Sequence, residues 1–259
     1  MPLASEEPRF GVGVRGLSFG GWAGAYDRFR PGYPDDLVRL ILSDPRGREV
    51  KDVVDLGGGT GQLSRSLLRL GYVPTILEPD PRMCRVAQVA VRPASIVCGR
   101  AEEVPLRRHS EDAVIAAQMW HWVDVPSALD QLHRILRPGG KLGIVWNFRD
   151  ETVPWVWRLA EAMGPASHRW FSQSGWYSES KGPRLDERFD LVDTFGARHL
   201  QVMTLDDLVG LAGTFSHSGT WAGADAEKFR GEVSALLPTG WEGTVELPYV
   251  TKAFLAIRR

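Results

Sequence analysis

The sequence predicts an α/β protein built on a doubly wound, mostly parallel sheet. From Val50 onward, short apolar runs alternate with amphipathic stretches of about ten residues. The runs are apolar almost throughout, which is typical of parallel strands covered by helices on both faces. The stretches between them have the length that βαβ crossovers need. With 259 residues, the chain is long enough for one large domain.

The alternation begins with three strands and two helices. Runs such as VVDL and ASIVCG are strand-like, whereas LSRSLLRL has apolar residues at helical spacing. We expect strands over 53–56, 73–77 and 94–99, and helices over 63–70 and 82–90.

The alternation continues through two further strands. AVIAAQ (113–118) and KLGIVWN (141–147) are predicted strands, and a helix over 126–136 lies between them. This helix should stop at Arg137-Pro138-Gly139-Gly140, because glycine often follows the last helical turn and proline cannot continue it.

Two regions lie outside this alternation. The first, 1–49, is rich in Gly, Arg and aromatic residues and is expected to form an N-terminal lid. The second, 148–200, includes a helix-like stretch at 153–163 and is expected to be an insertion after the fifth strand. The central region is then 50–147, and 201–259 completes the sheet with strand-like runs at 199–205 and 249–259.

Composition excludes several classes of protein. Hydrophobic residues make up 43% and charged residues 24%, as in ordinary globular domains. With 31 basic against 32 acidic side chains, the chain lacks the basic excess of a nucleic-acid binder. There is no apolar run of roughly 18 residues for a membrane span, and the N-terminus shows no secretory signal. Two cysteines cannot form a disulfide framework, so we expect a cytoplasmic protein without a metal.

The most informative motif is VVDLGGGTGQLS, residues 53–64. A strand delivers Asp55, and a turn with Gly57, Gly58, Gly59 and Gly61 precedes a helix. Glycines allow a ligand to approach the backbone closely, and the free N–H groups of the helix start face that ligand. Glu78 ends the next strand, where an acid can accept hydrogen bonds from both ribose hydroxyls. Strand, turn, helix and acid in this order predict a nucleoside-bearing cofactor.

The glycine spacing resembles that of class I S-adenosylmethionine-dependent methyltransferases. Asp55-Leu56-Gly57-Gly58-Gly59-Thr60-Gly61 matches their first motif, an acid followed by x-G-x-G-x-G. Their later motifs resemble CGRAEEVPL (98–106), AAQMWHWVD (116–124) and LRPGGKLGIVWN (136–147). YDRFRPGYP (26–34) is similar to the N-terminal motif of the small-molecule branch, methyltransferase type 11, which includes trans-aconitate methyltransferase-like enzymes.

This resemblance implies a Rossmann-like sheet of seven strands whose last strand is antiparallel. It also implies S-adenosylmethionine as the cofactor, bound by the central region, and a small natural-product or metabolite acceptor. A monomer or homodimer is expected. The cofactor-binding residues that it implies are Tyr26, Arg30, Asp55, Gly57, Gly58, Gly59, Gly61, Glu78, Pro79, Met83, Ala101, Glu102 and Gln118.

Candidate acceptor-side residues lie where ligands bind in parallel sheets, outside the carboxyl ends of the strands. His121 follows the fourth strand and could take a proton from the acceptor, or only pack against the cofactor. Aromatic residues are expected to line the pocket and to favour an apolar or aromatic acceptor with one polar group. The predicted acceptor-binding residues are Trp120, Trp146, Trp155, Trp170 and His217.

Other functions stay open at this stage. The fold could hold the cofactor without transferring a methyl group, or it could methylate tRNA or protein. Gln118-Met119-Trp120-His121 stands where an Asn/Asp-Pro-Pro-Tyr motif would indicate methylation of an exocyclic amine. A nicotinamide dehydrogenase would share the fold, but its glycine turn reads G-x-G-x-x-G.

Overall fold

A seven-stranded sheet forms the centre of the protein. The computed structural model describes residues 20–44, 47–164, 177–178, 182–215, 224–237 and 243–259. The strands are β1 (Val53–Leu56), β2 (Thr75–Glu78), β3 (Ser95–Cys98), β4 (Glu111–Ala117), β5 (Leu136–Arg149), β6 (Phe189–Met203) and β7 (Val245–Arg258). Their order is β3-β2-β1-β4-β5-β7-β6. The first five pair in parallel, and β7 is antiparallel to both of its neighbours, which confirms the predicted fold class.

Helices cover both faces of the sheet. They are α1 (Ala23–Phe29), α2 (Asp35–Leu42), α3 (Gln62–Arg69), α4 (Pro81–Ala90), α5 (Val125–Ile135), α6 (Pro154–Ala162), α7 (Leu205–Ala212) and α8 (Ala224–Ser234). One core cluster packs α5 against β1, β4 and β5, and a second packs α2 and α3 against the opposite face. The apolar runs of β1, β2, β4 and β5 therefore have no solvated face, as their sequence predicts, whereas β3 at the edge of the sheet is partly exposed.

A third apolar cluster forms a cap over one end of the sheet. It joins α6, α7 and α8 to the ends of β6 and β7, with Leu208, Phe229 and Tyr249 among its buried members. Phe29 at the end of α1 packs against the same cluster. The cap and α1 therefore cover the end of the sheet at which β1, β4 and β5 finish.

The largest difference from the predicted strand boundaries is at β6. Strand β6 begins at Phe189, inside the region 148–200 that the sequence assigns to an insertion, so the insertion is shorter at its C-terminal end. Most of β6 is exposed along its length, because it is the outer strand of the sheet. It therefore lacks the continuous apolar run by which the inner strands are recognised.

The described part of the chain offers neither a membrane-spanning helix nor a metal cluster. None of its helices is both long and apolar enough to cross a bilayer. Within the same residues, no group of three His, Cys, Asp or Glu side chains is arranged to hold a metal ion.

Candidate functional site

The glycine turn after β1 forms an open cradle at one position. An added Cβ at Gly57 would lie 2.8 Å from Met119, at Gly58 2.7 Å from Ile76, and at Gly61 2.8 Å from Val91. At Gly59 the nearest atom would be Tyr26 Cε1, at 3.8 Å. Gly59 also has a φ of +57°, which disfavours any residue with a side chain. Three of the glycines therefore allow close packing, and Gly59 borders space that a ligand can fill.

Glu78 at the end of β2 is tied to this turn. Its Oε2 accepts the Gly59 N–H at 3.0 Å, and its Oε1 accepts the Asp80 N–H at 2.9 Å. The side chain is buried, and this burial raises its pKa to about 7 although the two backbone hydrogen bonds lower it. Each carboxylate oxygen keeps a further lone pair, so the group can still accept hydrogen bonds from two hydroxyls.

Asp55 lies beneath the turn. It is completely buried, and its Oδ2 accepts the Ser64 hydroxyl at 2.6 Å from the first turn of α3. Burial raises its pKa to about 7. Asp55 thus supports the start of α3 through Oδ2, while its Oδ1 is buried without a hydrogen-bond partner among the described residues, and its cofactor contact stays a prediction.

The N-terminal segment closes over the cradle through α1. Tyr26 faces Gly59, and the Arg30 guanidinium lies 5.1 Å from the centre of the Tyr26 ring. On its other side Arg30 stacks over Phe215 at 4.0 Å and donates to the Thr214 carbonyl at 2.7 Å. Arg30 thus stands between the glycine turn and the cap, and its cofactor contact stays a prediction.

Four further predicted cofactor residues lie in the segments that follow β2 and β3. Met83 on α4 and Ala101 are buried, and Pro79 is half-buried in the loop after β2. Glu102 is not free, because its Oε1 accepts the Asp124 N–H at 3.0 Å and its Oε2 lies 3.4 Å from Arg100 Nε. Its carboxylate therefore fixes the loop that precedes α5.

Gln118 and His121 follow β4 at the edge of the site. Gln118 adopts a φ of +56°, and its side-chain amide donates to the Asn147 carbonyl at 2.7 Å, which joins the ends of β4 and β5. His121 lies in a single 3₁₀ turn, Trp120–Trp122, with its ring tilted against Trp122 at 4.7 Å. Burial, and secondarily the charge of Arg30, lower the His121 pKa to about 3.

The predicted tryptophans do not gather around one pocket. Trp120 and Trp146 are 0% and 1% exposed and belong to the core cluster beneath α5, so the structure assigns them to core packing and corrects their predicted role in acceptor binding. Trp155 on α6 is half-buried against the cap cluster and remains a candidate. Trp170 and His217 lie outside the described residues.

Sequence reasoning missed a polar cluster next to Arg30. Arg149 at the end of β5 lies 5.0 Å from the centre of the Phe215 ring, on which Arg30 also stacks. Tyr249 pairs directly with Arg149 across β5 and β7, so their side chains share a face of the sheet. His199 on β6 stacks on the Tyr249 ring at 5.3 Å. These residues are far apart in sequence, and the strand register alone brings them together.

Comparison with known proteins gives a consistent result. Residues 54–144 match the methyltransferase domain family of type 11. An uncharacterized methyltransferase of Mycobacterium bovis is 45% identical over 148 residues, which is 57% of this chain and 59% of that relative. An uncharacterized methyltransferase-like protein of Schizosaccharomyces pombe is 33% identical over 141 residues, 54% of this chain and 55% of its own. The chain thus spans little more than half of each relative.

A solved structure extends the similarity to most of the chain. A candidate type II methyltransferase from Anaeromyxobacter dehalogenans superposes with a TM-score of 0.60 at 24% identity, covering 89% of this chain and 97% of that one. This likeness concerns the fold. The matched domain and these relatives are methyltransferases, and the sheet of this chain has the fold of that solved structure.

Proposed function

We propose that this chain transfers a methyl group from S-adenosylmethionine to a small molecule. One observation carries the proposal: the buried Glu78 carboxylate is hydrogen-bonded to the N–H of Gly59, the one glycine of the turn that borders open space. A carboxylate that can accept ribose hydroxyls therefore lies next to a stretch of backbone that a ligand can approach closely. This is the arrangement that a nucleoside-bearing cofactor requires.

The residues of the site fit this cofactor along its whole length. Glu78 would accept the ribose hydroxyls, and Pro79, Met83 and Ala101 would surround the base. Tyr26 and Arg30 would hold the amino-acid end, since a guanidinium binds a carboxylate well. The Nε of Arg30 is buried without a hydrogen-bond partner in the described part of the protein, so this donor is available.

When bound, S-adenosylmethionine supplies a methyl group made electrophilic by its sulfonium. The protein then has to align the acceptor and exclude water. Helix α1 and the cap would exclude water above the cradle. His121 would hold a neutral imidazole at physiological pH, because its pKa is about 3. Its ring could accept a hydrogen bond from the acceptor, and we keep it as the candidate proton acceptor.

The acceptor side favours a small molecule with an apolar body. Phe29, Phe215 and Trp155 all pack against the cap cluster, and Phe215 contacts Arg30. Such surroundings suit an apolar or aromatic acceptor, and few polar groups would be needed to orient it.

The cofactor assignment is tested by titration calorimetry with S-adenosylmethionine and its demethylated product. We expect dissociation constants near micromolar, which correspond to a binding free energy of about −8 kcal/mol. Glu78→Ala should weaken binding by about 1.5–3 kcal/mol, the usual worth of hydrogen bonds to a charged group. Glu187→Ala, at an exposed acid near β6, is the control and should bind like the native protein.

Two results would count against the proposal. Binding of NAD without binding of S-adenosylmethionine would make this a dinucleotide site. Tight cofactor binding, but no transfer of labelled methyl to any compound in a cell extract, would support a binding protein over a transferase.

A further inference from the structure

Two guanidinium groups lie close together beside the proposed site. Arg30 and Arg149 both approach the Phe215 ring, at 4.0 and 5.0 Å from its centre. The side chain of Arg149 is only 8% exposed. Two like charges in a weakly hydrated place repel each other and lose solvation, so they persist only if something compensates them.

The described residues provide little compensation. Arg30 donates to one backbone carbonyl and makes no described ion pair with a carboxylate. The carboxylate within ion-pair range of Arg149 is that of Glu151, whose Oε1 is 4.0 Å from Nη2, beyond hydrogen-bonding distance. The Nε atoms of both arginines are buried without a hydrogen-bond partner in this part of the protein.

A third hydrogen-bond donor lies next to the two arginines. The Tyr249 hydroxyl is also buried without a hydrogen-bond partner among the described residues. Burial raises its pKa to about 12, while Arg149 and Arg30 lower it, so it remains a neutral donor next to two cations. A guanidinium only donates hydrogen bonds, and the neutral phenolic hydroxyl can donate one more, which suits an anion with two oxygens.

One carboxylate of the cofactor would neutralise only one of the two guanidinium charges. Arg30 stands against Tyr26 on the side of the glycine turn, whereas Arg149 stands against Tyr249 on the side of the cap. S-adenosylmethionine carries a single carboxylate together with two positive centres. If Arg30 takes that carboxylate, Arg149 is left for another anion.

We propose that Arg149, together with the Tyr249 hydroxyl, binds a carboxylate carried by the methyl acceptor. This inference rests on the proposed methyltransferase function and specifies the polar group of the otherwise apolar acceptor. It makes Arg149 a specificity-determining residue, because an uncharged analogue would leave a buried guanidinium without its partner.

The test compares acids with their amides. A series of straight-chain acids from acetate to decanoate, and benzoate, is titrated calorimetrically beside the matching primary amides, with the demethylated cofactor at saturation. We expect at least one acid to bind ten times or more as tightly as its amide. Arg149→Gln should abolish this preference, Arg149→Lys should retain part of it, and Tyr249→Phe should weaken it several-fold.

Arg258→Gln is the matched control. Arg258 is likewise a buried arginine with unpartnered nitrogens among the described residues, but it lies at the opposite end of β7. This variant should keep the preference for acids. Should Arg149→Gln fail to fold, Arg149→Lys and the native protein still provide the comparison.

Three results would overturn the inference. One is the absence of any preference for an acid over its amide in the native protein. Another is an Arg149→Gln variant whose affinity for the demethylated cofactor falls as much as its affinity for acids, since Arg149 would then bind the cofactor's own carboxylate. The third is binding of acids to the free protein that disappears when the demethylated cofactor is present at saturation, since the acids would then occupy the site of the cofactor's own carboxylate. The same titrations without cofactor separate failure of this inference from failure of the proposed function.

Discussion

At the scale of single residues, His121 shows how position alters chemistry. It stands where a base could assist methyl transfer, yet burial and Arg30 hold its pKa at about 3. An imidazole with so low a pKa is neutral at physiological pH but is a weak proton acceptor. A methyl acceptor whose nucleophilic atom is already ionised would not need His121 to remove a proton. The carboxylate inferred for the methyl acceptor is ionised at physiological pH and is therefore compatible with a neutral His121.

This behaviour of His121 can be measured directly. In a pH titration followed by imidazole NMR signals, the resonance assigned through the His121→Gln variant should not shift between pH 8 and pH 5. The reason is that protonation would place a second charge beside Arg30 in a site shielded from water. A transition with a midpoint at or above pH 6 would contradict this and would strengthen the assignment of His121 as a base.

At the scale of elements, the position of α1 depends on contacts with three other helices. Asp27 receives an ion pair from Arg65 of α3 at 2.8 Å, and Arg28 lies 3.2 Å from Asp207 of α7. Gly20, just before α1, donates to Asp80 at the start of α4. Because Tyr26 and Arg30 belong to this segment, these contacts determine where the lid meets the cradle.

A single methyl group should disturb this arrangement. A Cβ at Gly210 of α7 would clash with the Phe29 ring, so Gly210→Ala must displace this ring and disturb the contact between α1 and α7. We expect a loss of about 1–3 kcal/mol in stability, as is usual for overpacking, and weaker binding of the demethylated cofactor.

The control for this variant is Gly231→Ala in α8, where an added Cβ meets nothing within 4 Å. It should be neutral, or stabilise the protein by up to about 1 kcal/mol through helix propensity. Thermal unfolding and calorimetry measure both effects. If the two variants behaved alike, the contact between α1 and α7 would have no part in binding.

The elements also show why the sequence was informative for some parts and silent for others. The inner strands and the turn at 57–61 are local patterns, and their apolar runs and spaced glycines can be read directly. The start of β6 at Phe189 could not be predicted from the sequence, because an exposed outer strand has no apolar run. Arg149 and Tyr249 meet only through the register of β5 and β7. Trp120 and Trp146 share a residue type with pocket aromatics, and only packing distinguishes them.

At the scale of the whole molecule, the site has opposite electrostatic character at its two ends. Asp55 and Glu78 lie at the ends of β1 and β2, whereas Arg30 and Arg149 lie on the side of the lid and β5. A cofactor with hydroxyls at one end and a carboxylate at the other would be oriented by this difference. The same arrangement leaves two buried acids with pKa values near 7 in the protein without ligand.

These two acids should make the stability of the whole protein depend on pH. In the unfolded chain their pKa values would be about 4, so between pH 4 and pH 7 the folded state binds more protons than the unfolded state. Stability is then greatest at the acidic side of this window and is lost as pH rises through about 7. With both groups half-protonated at pH 7, the slope there should be about 1.4 kcal/mol per pH unit. The low pKa of His121 acts in the opposite direction, but only below about pH 6.5.

Thermal unfolding between pH 6.5 and pH 8 isolates the effect of the two acids. The ligand-free native protein should melt at a lower temperature at pH 8 than at pH 6.5, by roughly 2–4 °C for each kcal/mol lost. Glu78→Gln and Asp55→Asn should each remove about half of this dependence, since each deletes one raised pKa. Glu187→Gln, at an exposed acid, should retain all of it. A melting temperature that rises with pH, or a slope unchanged in both variants, would show that neither carboxyl is held protonated, and that Glu78 faces the cradle as an ionised group before any ligand arrives.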